Sequence, residues 1–84
     1  MSKKVLIIDD EPSVRDVATR MLTHHGMETI EASNGKMGLQ KFRENQSSIH
    51  FILLDCMMPL MNGFEVYEEI RKLDKEVPVL FSSG

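Results

Sequence analysis

Eighty-four residues, 42% apolar and 27% charged, have the make-up of one ordinary soluble globular domain, which excludes a disordered tail or a membrane span. A domain this short buries only roughly 60% of the surface that its unfolded chain exposes. A net charge of −3 leaves no basic face for nucleic acid, because phosphate neutralisation needs clustered Lys and Arg, and the single Cys56 excludes an internal disulfide.

The opening MSKKVLIIDDE reaches acidic residues after only four apolar ones, too few for a signal peptide, so a reducing cytoplasm is the expected location. Within it, Lys4 to Ile8 contains a continuous apolar run that predicts a first strand buried on both faces, as in a parallel sheet. Pro12 suits the first turn of a helix, and Val14, Val17, Ala18, Met21 and Leu22 follow at helical spacing until Gly26. Met27 to Ala32 alternates enough for a second strand. Ser33, Asn34 and Gly35 supply a turn and a cap for a second helix with Gly38, Leu39 and Phe42 inside. The two glycines of that helix oppose it by about 1 kcal/mol each.

Ile49 to Leu54, the most apolar stretch, predicts a central third strand. A loop from Asp55 to Asn62 leads to Gly63 and a third helix through Phe64, Val66, Tyr67, Ile70 and Leu73. Pro78 to Phe81 reads as a fourth buried strand. Strands alternating with helices imply an α/β fold: a doubly wound parallel sheet with right-handed crossovers and helices on both faces.

Such sheets gather their functional groups beyond the carboxyl ends of the strands. There the sequence places Asp9, Asp10 and Glu11 after the first strand, Asp55 after the third, and Ser82 and Ser83 after the fourth. Two like charges about 4 Å apart repel by roughly 1 to 4 kcal/mol, so a cluster of carboxylates calls for a cation. A hard ion with oxygen ligands is indicated, and a site that leaves waters open to phosphate oxygens suits Mg²⁺ better than Ca²⁺. A lone Asp after a strand is more often a helix cap or dipole partner, but Asp9, Asp10 and Asp55 together, at the ends of two buried strands, favour chemistry. Cys56 has no neighbouring cation to activate it, and His24, His25 and His50 lack spacing that converges on the acidic residues.

Three segments, VLIIDDE, LLDCMMPLMNG and PVLFSSG, resemble in order and interval the signatures of the bacterial response-regulator receiver domain, and between them they span the chain. The resemblance implies a flavodoxin-like sheet with strand order 2-1-3-4 and a phospho-acceptor module of two-component signalling. By the same resemblance Asp55 would accept a phosphoryl group from a histidine kinase. Asp10 would bind Mg²⁺ directly beside Asp55, Asp9 would act through a bound water, and the backbone carbonyl of Met57 would complete the protein's share of the coordination. Ser83 would hydrogen-bond the phosphoryl group, with Gly84 leaving room for it. The expected partners are a sensor histidine kinase or phosphotransfer protein, with no nucleic acid or membrane engaged by this segment. Receivers catalyse their own aspartyl phosphorylation and dephosphorylation, which makes the domain mainly a signalling module.

Receivers continue through a fourth helix, a fifth strand bearing a Lys, and a fifth helix, so residues 1–84 are expected to be the N-terminal portion of such a domain. Val79 to Phe81 would then present an exposed apolar edge, through which the 84-residue polypeptide is expected to self-associate or else remain partly folded when dilute. The main alternative is a receiver-like interaction module that works without phosphorylation. A flavodoxin-like nucleotide binder would need a Gly- or Ser/Thr-rich loop where Asp9, Asp10 and Glu11 stand, and an aspartyl-phosphate hydrolase of the dehalogenase type would show DxD in place of DDEP.

Overall fold

The computed structural model describes residues 3–82. Strand β1 (Lys4–Ile8) forms where the apolar run predicts it, and Val5 to Ile8 are each at most 2% exposed, the burial expected of a strand covered on both faces. Helix α1 (Pro12–His24) opens on its proline and ends in a turn closed by Gly26 at φ +81°, a left-handed conformation that favours glycine. The Met27 N–H still bonds the Leu22 carbonyl, so β2 (Glu28–Ala32) begins one residue later than the alternation suggests.

Asn34 caps α2 (Gly35–Asn45) by accepting the Met37 N–H at 2.8 Å. The glycines that count against this helix have a packing reason. A Cβ on Gly38 would stand 2.5 Å from Cδ1 of the buried Ile8, so only glycine lets α2 lie this close to β1. Strand β3 (Ile49–Asp55) is followed by α3 (Gly63–Leu73), whose start is fixed by a reciprocal capping box between Asn62 and Glu65. Strand β4 (Val79–Ser82) completes the order of elements.

All the strand pairs are parallel, and the sheet order is β2-β1-β3-β4, as the resemblance implies. Leu6, Ile8, Ile52 and Leu54 meet Phe42, Val66 and Ile70 of α2 and α3 in the core. The opposite face carries α1 alone among the described helices. None of its residues is buried, and Val17 and Met21 are 58% and 61% exposed.

The expectation of a buried fourth strand needs correction. Leu80 and Phe81 are exposed because β4 pairs only with β3 among the described residues, although the Phe81 ring packs at a tilt against Phe64 and Tyr67. No helix among the described residues is long and apolar enough to cross a membrane.

Candidate functional site

Asp9 and Asp55 leave the carboxyl ends of the two central strands, which lie side by side through the Ile8 to Leu54 register pair. The parallel register therefore brings the two carboxylates together from positions distant in sequence, and Asp10 follows one residue later. One carboxylate oxygen from each of Asp9, Asp10 and Asp55 lies within 4.8 Å of the others. Asp9 and Asp55 are buried and Asp10 is half-buried. The three carboxylates line a cleft of about 270 Å³ with Glu11, Val14 and Met57.

Each acidic side chain is held by backbone. Asp9 Oδ1 accepts the Glu11 N–H at 2.9 Å, and Asp9's own N–H continues the sheet by donating to the Ala32 carbonyl at 3.1 Å. Asp55, the last residue of β3 rather than the first of the loop, accepts the Met57 N–H at 3.0 Å on Oδ1. Burial pushes the Asp55 carboxyl above the ordinary aspartate range. The Met57 hydrogen bond opposes that shift, while the charges of Asp9 and Asp10 and a hydrogen-bonding contact with the Asp10 carboxyl add to it.

The loop after β3 is closed by the Gly63 N–H donating to the Cys56 carbonyl at 3.2 Å. A Cβ on Gly63 would run into the Asp55 carbonyl and the Cys56 backbone, so this glycine is required by close approach. Leu60 occupies the left-handed region at φ 70° and is fully exposed. Cys56 is half-buried and free.

Three convergent carboxylates make a hard, anionic donor set that fits Mg²⁺ and offers nothing to a soft metal. Of the residues expected from the sequence, Asp9, Asp10, Asp55 and Met57 come together at one cleft; Ser83 lies outside the described residues, as does Gly84. Glu11 lines the same cleft. A second cleft of about 300 Å³, lined by Leu39, Met61, Glu65, Glu68 and Glu69 between α2 and α3, lies apart from these groups.

One group at the site escapes a reading of the sequence. Arg15, in the first turns of α1, donates from Nη1 to the Asp9 carbonyl at 2.7 Å and from Nε to Glu31 Oε1 of β2 at 3.3 Å. The only sequence signal is an arginine five residues after Asp10, and nothing in the pattern pairs it with Glu31.

A parallel sheet of order 2-1-3-4 with a carboxylate triad at its carboxyl edge defines a receiver-like α/β protein. Residues 5–84 match the response regulator receiver domain family, and the chain belongs to that family. It is 41% identical over 78 residues to the probable transcriptional regulator ycf27 of Pyropia yezoensis, covering 93% of this chain and 31% of that protein. The chain thus spans about a third of the length of that relative.

Among solved structures, the chemotaxis protein CheY4 of Vibrio cholerae superposes with a TM-score of 0.91 at 29% identity, covering all of this chain and 72% of that one. Response regulator TrrA of Thermotoga maritima, in complex with Mg²⁺ and BeF, matches with a TM-score of 0.88 at 34% identity, over 98% of this chain and 71% of that one. The same regulator in complex with the histidine kinase ThkA gives 0.86 at 35% identity, over 94% of this chain and 66% of that one.

Proposed function

We propose that the chain accepts a phosphoryl group on Asp55 from a sensor histidine kinase or phosphotransfer protein, with Mg²⁺ as cofactor. The observation that carries the proposal is the convergence of Asp9, Asp10 and Asp55 in an open cleft at the sheet edge. The TrrA complexes with Mg²⁺ and BeF and with a histidine kinase support it by likeness.

Asp10 and Asp55, with the backbone carbonyl of Met57, would hold the ion directly, and Asp9 would reach it through water. When bound, Mg²⁺ neutralises the charge of the incoming phosphoryl oxygens. Asp55 needs no general base once ionised. Its free carboxylate oxygen attacks phosphorus in line as the bond to the donor's imidazole nitrogen breaks. The electron pair returns to that nitrogen, and because the other ring nitrogen of the phosphohistidine carries a proton, the donor leaves as neutral histidine with an acyl phosphate on Asp55. Met57's N–H restrains the carboxylate's rotation by holding Oδ1. The protein thus contributes positioning more than new covalent chemistry. Ser83 is assigned the hydrogen bond to the transferred group.

Incubation with a small acyl-phosphate donor and Mg²⁺ tests the proposal, using a polypeptide that contains this chain together with the fifth strand of the family. Mass spectrometry should find one added phosphoryl group, absent in Asp55→Asn. Label on Ser83 or on a histidine would refute the assignment.

A further inference from the structure

We infer that Arg15 is a positioning residue for the Mg²⁺ site, locking the Asp9–Asp10 peptide in the orientation that delivers the Asp10 carboxylate to Asp55. The inference rests on the reading of Asp9, Asp10 and Asp55 as that site.

The Arg15 side chain is only 16% exposed, and its guanidinium spans two elements. Nη1 donates to the Asp9 carbonyl at 2.7 Å, while Nε holds Glu31 Oε1 at 3.3 Å. The other Glu31 oxygen accepts the Thr19 hydroxyl at 3.1 Å, so Glu31 is itself held from α1. The chain from Thr19 through Glu31 and Arg15 to Asp9 therefore ties α1 and β2 to the end of β1.

The atom at the end of this chain decides its role. The Asp9 carbonyl belongs to the planar peptide that leads into Asp10, so fixing its oxygen fixes the direction in which Asp10 leaves the strand. The Asp9 N–H is fixed by Ala32, and the turn beyond is fixed by the Glu11 N–H on Asp9 Oδ1. Arg15 supplies the third restraint, on the peptide between them. A planar guanidinium with donors in a fixed fork suits this task better than a Lys ammonium. The Glu31 pair alone gives little reason to order so long a side chain, since Glu31 is 41% exposed and such pairs contribute weakly.

Charge and positioning predict opposite signs. As a nearby cation Arg15 repels Mg²⁺, so a role through charge alone makes Arg15→Gln bind the ion more tightly. As a positioning residue it makes the same variant bind more weakly, by about 10-fold, the usual scale for groups that orient metal ligands.

Mg²⁺ titrations of the whole chain, followed by the amide resonances of Asp10 and Met57, separate the two. Arg15→Gln should weaken binding about 10-fold. Arg15→Lys, which keeps the charge and one donor, should recover part of the loss. Glu31→Gln should weaken binding less than Arg15→Gln, and the double variant no more than Arg15→Gln alone, because Glu31 acts through the guanidinium. Faster hydrogen exchange at Glu11 in Arg15→Gln would report the loosened turn directly. Equal or tighter Mg²⁺ binding in Arg15→Gln, or additive losses in the double variant, overturns the inference. Should Arg15→Gln fail to fold, unchanged affinity in Glu31→Gln overturns it instead. Absence of Mg²⁺ binding to the unaltered chain refutes the metal site itself, which separates that failure from a failure of Arg15.

Discussion

Asp55 is the last residue of a buried strand and is expected to be ionised for its chemistry, two conditions that oppose each other. Its raised pKa, caused first by burial and then by Asp9 and Asp10, means that the folded chain holds a proton at Asp55 to higher pH than the unfolded chain does. In magnesium-free buffer stability should therefore increase as pH falls from neutral through that raised value, with this gain complete below the ordinary aspartate range. Glu69 is held low by Lys72 and works in the opposite sense, but that pair lies in solvent. Urea denaturation across pH should show the Asp55 contribution vanish in Asp55→Asn. Asp10→Asn removes one of the crowded charges and should stabilise the magnesium-free chain by about 1 kcal/mol while abolishing Mg²⁺ binding. Unchanged binding would remove Asp10 from the ligand set.

Among the elements, those with the plainest patterns form where the sequence places them, and the departures have local causes. The apolar run of β1, the helical spacing of α3 and the proline at the start of α1 depend on neighbours close in sequence, so they are legible from it. The capping box joining Asn62 to Glu65 emerges only in the structure, because apolar periodicity passes over a polar cap. Gly38 was misleading because its value lies in contact with Ile8, a residue thirty positions earlier that propensity does not register. The Arg15 to Glu31 contact was hidden for the same reason: it exists only once α1 lies against β2. Carboxylate convergence could be inferred because strand ends in a parallel sheet share one edge. At the β3 to α3 junction, Gly63→Ala would press a methyl group into the Asp55 and Cys56 backbone. It should destabilise the chain by about 1 to 3 kcal/mol and weaken Mg²⁺ binding, measured by thermal unfolding and titration. Full stability in Gly63→Ala would show that the loop adapts at no cost.

The molecule as a whole has unequal sides. The face under α2 and α3 contains the closed core, whereas the face under α1 leaves Val17, Met21 and Leu80 open. For the 84-residue polypeptide alone, the apolar edge of β4 should recruit a second copy or leave the strand poorly ordered. Sedimentation and hydrogen exchange decide the matter, since a micromolar monomer with strongly protected amides from residue 79 to 82 would contradict it. Strand order has a further consequence, set by the direction of synthesis. The central β1 precedes both of its neighbours, and its partner β3 is complete only at Asp55, after 47 further residues. At ribosomal speeds that interval lasts about 2 to 10 s, far longer than a helix needs to form. Val5 to Ile8 can pair with β2 once residue 32 is made, but the cover they have in the finished sheet waits for β3, and so does the acidic edge.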